Sequence, residues 1–182
     1  LDNLKNIGRS WVNITTCPEI SLSSLQFLKD NFDIPYIFIP PGGITSTNEF
    51  INQLGHLTAR NYNSYISKNK NETSVLWFLN IIREKIGRTI RAFVFGDFGH
   101  TVSITEVITK DLDFEIVLAG TYVTTLAEKF KNVVQNYANE MVITENSLIV
   151  AELIKKHNPD IIFGTLNEQR IASEMQIPFL EI

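Results

Sequence analysis

The feature that most constrains this chain lies between Arg88 and Ile182. Short apolar runs there alternate with stretches of helical period. Ile90–Gly96 (IRAFVFG), Phe114–Gly120 (FEIVLAG), Glu140–Thr144 (EMVIT), Asp160–Thr165 (DIIFGT) and Ile177–Ile182 (IPFLEI) read as strands. His100–Leu112, with Ile104, Val107, Ile108 and Leu112 inward, reads as a helix. So do Thr124–Ala138, with Leu126, Phe130, Val133, Val134 and Tyr137 on one face, the segment that Asn146 can cap and that runs to His157, and Asn167–Met175. Apolar strands alternating with helices argue for a parallel sheet covered on both faces.

The first 41 residues read as β-α-β. Trp11–Thr16 is a short β-like run. Pro18 suits the first turn of a helix with Leu22, Leu25, Leu28 and Phe32 as its stripe, closed by Asp33, and Ile34–Ile39 is a buried strand. Residues 42–86 differ in texture. Thr47 is placed to cap a helix through Phe50, Ile51 and Leu54. Arg60–Thr73 is polar, a loop or a frayed helix, and Ser74–Lys85 carries an apolar helical face of Val75, Trp77, Phe78, Ile81 and Ile82. The predicted organisation is the end of one α/β domain over 1–41, a helical connector over 42–86, and a Rossmann-like α/β domain, truncated, over 87–182. The chain does not start with Met and stops inside a strand, so a piece of a longer protein is expected.

Composition narrows the function classes. Of 182 residues, 44% are apolar and 20% charged, enough for a packed core. No apolar run approaches a membrane span, and LDNLKNIGRSW has no signal-peptide core. The net charge is −4 with scattered Lys and Arg, which argues against a nucleic-acid stripe. The lone Cys17 excludes an internal disulfide and a Cys-built metal cage, and reads as a small buried or loop residue.

Ligands of open parallel sheets bind beyond the strands' carboxyl ends. The first βα turn of the repeating region, Gly96-Asp97-Phe98-Gly99-His100, lacks the glycine pattern of a dinucleotide site, and no acid ends the next strand. Walker A, HExxH, CxxC and EF-hand patterns are absent too. Asp97 is the candidate that remains. Placed directly after a buried strand, it reads either as a helix N-cap or as a positioned proton donor, roles that do not exclude each other. Helix N–H groups favour its charged form, and an apolar ligand covering it favours the neutral acid. His100 reads as a supporting partner of Asp97 or as a first-turn surface residue. His157 and His56 are read as a helix-end cation and a solvated side chain. Glu168 and Arg170 read as a surface ion pair.

Phe95-Gly96-Asp97-x-x-His100, Ala119-Gly120-Thr121-Tyr122 and Phe163-Gly164-Thr165 with Glu168 and Ile177-Pro178 together resemble the B-subunit family of light-independent (dark-operative) protochlorophyllide reductases. Leu4-Lys5, Trp11, Asn13, Phe32-x-Ile34-Pro35-Tyr36-Ile37 and Trp77-Phe78 fall at matching positions, so the likeness covers the whole chain, and plastid-encoded members most of all. The resemblance implies a nitrogenase-like α/β fold with parallel sheets and several domains. It implies an oxidoreductase that reduces the C17–C18 double bond in ring D of protochlorophyllide to give chlorophyllide a. The partners it implies are an N subunit in an N2B2 heterotetramer and a separate ATP-hydrolysing iron–sulfur L protein. The cofactor is a [4Fe-4S] cluster at the N–B boundary, whose ligand in this subunit lies outside these 182 residues; no metal ligand is assigned within them. The implied compartment is the plastid stroma, or the cytoplasm of a cyanobacterium. Asp97 falls on the family's proton donor, with His100 beside it. The chain departs from the family pattern at Phe98-Gly99 (usually Ala-Thr), at Gln169-Arg170 (usually Arg-His) and at Phe179 (usually Cys). Those departures keep two alternatives open: a non-catalytic scaffold on the same fold, and a drifted copy. A sugar-nucleotide or small-metabolite binder with a double α/β fold is a third.

Overall fold

A computed structural model describes residues 6–37, 42–70, 81, 84–85 and 87–182. The helix expected over Ser74–Lys85 lies largely outside the described residues.

Seven short or medium strands form two parallel sheets among the described residues. The first is small: β1 (Asn13–Ile14) and β2 (Tyr36–Ile37) pair in parallel, joined by helix α1 (Pro18–Phe32). Pro18 stands at the first helical position, and Asp33 ends the helix in the left-handed region at φ 53°. Two helices follow, α2 (Gly43–Thr58) and α3 (Asn63–Lys70). Thr47 is not the cap of α2; its hydroxyl bonds back to the Gly43 carbonyl inside the helix. The cap comes from 67 residues away. The carboxylate of Asp111 accepts the Ile44 N–H at 2.7 Å and the Thr45 hydroxyl at 2.6 Å. Gly43 (φ +66°) is needed for that approach, since a Cβ there would lie 2.1 Å from Asp111 Oδ2.

The main sheet has the order β5-β4-β3-β6-β7, all parallel. Its strands are β3 (Arg91–Gly96), β4 (Glu115–Thr121), β5 (Met141–Ile143), β6 (Ile161–Gly164) and β7 (Phe179–Glu181). Connecting helices are α4 (Phe98–Lys110), α5 (Ala127–Val134), α6 (Ser147–His157) and α7 (Leu166–Met175). The predicted helix over Thr124–Ala138 is shorter: a 3-10 turn, Thr124–Leu126, precedes α5. β3 is the central strand, with Ala92, Phe93, Val94 and Phe95 all fully buried. Its side chains alternate. Ala92 and Val94 join Phe98, Val102, Phe130 and Val134 of α4 and α5, whereas Phe93 and Phe95 join Val150, Ile154, Ile171 and Ala172 of α6 and α7. Register slips between Ala92 and Phe93, so that Val117 of β4 is left over and sends its side chain to the same face as Leu118. Each buried Phe or Leu in these two layers contributes about 1.5–3 kcal/mol.

At the amino edge of the sheet, Arg88 grips Asp160 with two guanidinium nitrogens at 2.7 and 2.8 Å, and the Arg91 N–H adds a third bond at 2.9 Å. The Arg88 bonds first, and then the Arg91 N–H, hold the Asp160 carboxyl down at about 2, against an ordinary 3.8. Because the native state favours the ionised form, this contribution is complete above about pH 4 and is lost as pH falls toward 2. Asp160→Asn is expected to flatten the acid limb of unfolding midpoint against pH between those values, measured by fluorescence-detected denaturation.

Candidate functional site

The strand order reverses on either side of β3: the chain moves out through β4 and β5, then returns to β6. In such sheets the crevice beyond the carboxyl ends of the two strands at the reversal is the binding position. Here those strands are β3 and β6, so that position falls between the Gly96-Asp97 and Gly164-Thr165 turns. Helix α4 starts from the first turn on one face, and α7 from the second on the other.

Asp97 is the N-cap of α4. Its Oδ1 accepts the His100 N–H at 2.8 Å, and its Oδ2 lies 2.6 Å from His100 Nδ1. The helix therefore begins at Phe98, two residues before the expected start, because the cap bond reaches three residues forward. Both expected site residues meet in one hydrogen-bonded pair. The Asp97 side chain is 49% exposed and that of His100 64%, so the described residues leave the pair open on one side instead of enclosing it in a water-poor pocket.

The other turn differs from expectation. Glu168 is 1% exposed and makes no surface ion pair. Its Oε2 accepts the Thr165 N–H and the Thr165 hydroxyl, each at 2.8 Å, and its Oε1 accepts the Tyr122 hydroxyl. Arg170 turns to Glu174 instead, at 3.0 Å. Gly164 makes room for this fold-back, since a Cβ there would meet the Glu168 Cβ at 2.9 Å. The local signal for it is Thr165-x-x-Glu168, a capping box. Burial first, and then the Glu168 carboxylate, hold the Tyr122 hydroxyl well above its ordinary range, so the phenol stays a donor. Tyr122 also ties the two turns together: its N–H donates to the Gly96 carbonyl at 3.1 Å, and its ring meets Phe95 edge-on at 4.7 Å. Phe95 in turn occupies the space a side chain at Gly120 would fill, 2.2 Å from an ideal Cβ.

A second acid reaches α4 from the small sheet. Glu19, in the first turn of α1, accepts the Gly99 N–H at 2.9 Å. Gly99 and His100 thus give their N–H groups to two different carboxylates. A phosphate seeking the N-terminus of α4 would have to displace both, so the fold's customary anion position is already filled by protein oxygens. The other histidines stand elsewhere: His157 pairs with Glu140 at 2.9 Å, and His56 is exposed on α2. Cys17 is exposed, directly before α1.

An iron–sulfur cluster takes about four ligands, mostly Cys. Among the described residues no three His, Cys, Asp or Glu side chains converge on one point. These residues do not fit a cluster. No helix among the described residues is long and apolar enough to cross a membrane.

The model of the nitrogenase component 1 type oxidoreductases matches residues 1–182, the whole chain. The chain belongs to that family. The B-type subunit of the light-independent protochlorophyllide reductase of Mesostigma viride is 32% identical over 185 residues, covering 98% of this chain. That of Gloeothece citriformis is 31% identical over 184 residues, again covering 98%. The chain spans only 36% of the length of each of these relatives. A structure of nitrogenase Cp1 at pH 6.5 superposes with a TM-score of 0.78 at 19% identity, over 100% of this chain and 40% of that one. A structure of nitrogenase Cp1 at pH 5 gives 0.76 at 12% identity, over 98% of this chain and 43% of that one. The likeness to those structures is one of fold, and it agrees with the nitrogenase-like α/β architecture expected from the sequence.

Glu168→Ala is expected to take the acceptor from the Tyr122 hydroxyl and from both Thr165 donors in a part-buried place, costing about 2 kcal/mol. Glu168→Gln keeps an acceptor for Thr165 and lets the phenol turn, so it is expected to cost about 1 kcal/mol or less. Denaturant unfolding of the two variants measures the difference.

Proposed function

We propose that this chain is part of a B-type subunit of a light-independent protochlorophyllide reductase, and that Asp97 is its proton donor. In this reading residues 1–41 end a preceding α/β domain, 42–86 connect, and 87–182 form the Rossmann-like domain that carries the acid. The whole enzyme reduces the C17–C18 double bond of ring D with electrons from an ATP-dependent iron–sulfur protein, in an N2B2 assembly of the plastid stroma or a cyanobacterial cytoplasm. The cluster belongs to parts of the complex outside these residues.

The observation that carries the reading is the Asp97–His100 pair at the rim of the central strand. Saturating one double bond takes two electrons, supplied by the iron–sulfur protein, and two protons, the second of which comes from a donor outside these residues. Asp97 gives one of the protons: its O–H bond breaks, a C–H bond forms on the ring, and the carboxylate remains. The helix N–H at His100 and the imidazole at Oδ2 then receive that charge. Solvent reaches His100, so the imidazole can return a proton to Oδ2 between turnovers. A flat apolar pigment laid over the open side would remove water from Asp97 and favour the neutral acid needed for donation. The occupied N-terminus of α4 favours an uncharged reacting face over a sugar nucleotide's phosphates.

Asp97→Asn keeps the shape and the cap acceptor but has no proton to give. In the complete complex it is expected to bind protochlorophyllide with unchanged affinity while losing at least about a hundredfold in turnover. Pigment absorbance and single-turnover assays read the two quantities. Unchanged turnover would sink the donor assignment, and an unmodified complex without any reduction would favour the non-catalytic scaffold.

A further inference from the structure

We infer that Glu19 is a positioning residue for Asp97, acting across the seam between the two sheets. The inference rests on Asp97 being the proton donor. A donor in that place has a built-in difficulty. As a carboxylate, Asp97 caps α4 with two acceptor oxygens and a charge; as a neutral acid, it loses the charge and one oxygen carries the proton. Donation requires it to pass through the neutral form on every cycle. If it alone held the first turn, its own position would change with its charge.

Glu19 removes that dependence. It holds the Gly99 N–H at 2.9 Å, immediately beside the His100 N–H that Asp97 holds. A side-chain acceptor therefore stays on the first turn of α4 whichever state Asp97 is in. Glu19 is itself fixed. The corner that carries it is braced by the Thr15 and Ser21 hydroxyls at 2.6 Å, by the Cys17 N–H donating to Thr15 Oγ1 at 3.1 Å, and by the Ser21 hydroxyl donating to the Cys17 carbonyl at 2.7 Å. Pro18 is buried next to it.

The fit is close enough to dictate the residue at 99. A Cβ on Gly99 would stand 2.9 Å from the Thr16 carbonyl, 3.7 Å from Pro18 Cδ and 3.9 Å from Asp97 Oδ1. The backbone carbonyl at 2.9 Å cannot swing aside as a side-chain end would. The corner and the Asp97 turn thus meet face to face over a residue without a side chain.

The test uses the assembled reductase with its full-length subunit. Glu19→Ala removes the acceptor; Glu19→Gln keeps an acceptor oxygen at the same reach. Turnover with Glu19→Ala is expected to fall about tenfold with KM for the pigment unchanged, the signature of a misplaced donor rather than of lost binding. Glu19→Gln is expected to restore at least half of the lost turnover. Wild-type turnover in Glu19→Ala overturns the inference, and so does a loss that Gln fails to rescue or that appears in KM. Asp97→Asn, run in parallel, separates the two ideas. An inactive Asp97→Asn complex beside a fully active Glu19→Ala complex removes only the role of Glu19, whereas full activity of Asp97→Asn removes the donor and the positioning role together.

Discussion

The structure depends on the complete enclosure of one strand. β3 is bonded to β4 on one side and β6 on the other, and Ala92 to Phe95 have no exposure to water. A polar side chain anywhere along that stretch would be buried without a partner. The first position free of this restriction is the residue that follows Gly96, where the backbone leaves the sheet. An acid there gains a helix N-terminus to cap, and loses nothing to the core. The location of Asp97 is therefore a consequence of the hydrophobic packing upstream of it, together with the uniform direction of the strands, which brings every such exit to one edge.

What could be read without coordinates follows from how local each determinant is. The five strands of the main sheet announce themselves because each is a short apolar run between breakers, and Asp97 as a cap needs only its neighbour three residues on. The start of α2 is not legible at Thr47 because its cap is Asp111, 67 residues away. Glu168 escapes a sequence reading for the opposite reason. Its capping box is local, but the side chain's burial is not: Tyr122, 46 residues earlier, and Gly164 create the space it fills. Thr124–Ala138 keeps its apolar face, yet the Thr124–Leu126 turn stays 3-10, and two adjacent threonines favour such local alternatives to an α-helix. The bond from Glu19 to Gly99 spans 80 residues and has no signature in either segment alone.

The two turns at the reversal point solve one electrostatic problem in different ways. Each helix start presents unpaired N–H groups and partial positive charge. At α7 the answer is static. Glu168 sits inside the protein, donors surround both its oxygens, and Tyr122 is held in its protonated form beside it. At α4 the answer is shared between Glu19, held within the seam, and Asp97, half open to whatever lies above the sheet.

That asymmetry bears on which acid can take part in chemistry. A carboxylate whose two oxygens are both taken by donors inside the protein cannot turn to a ligand without disrupting the packing that holds it. A carboxylate with one oxygen on a backbone N–H and the other on an exposed imidazole can turn with little rearrangement. Glu168 and Asp97 stand on neighbouring strand exits of the same sheet, at the point where the strand order reverses. The difference in their hydrogen bonding separates a residue that holds the α7 turn in shape from one whose side chain stays half open to solvent.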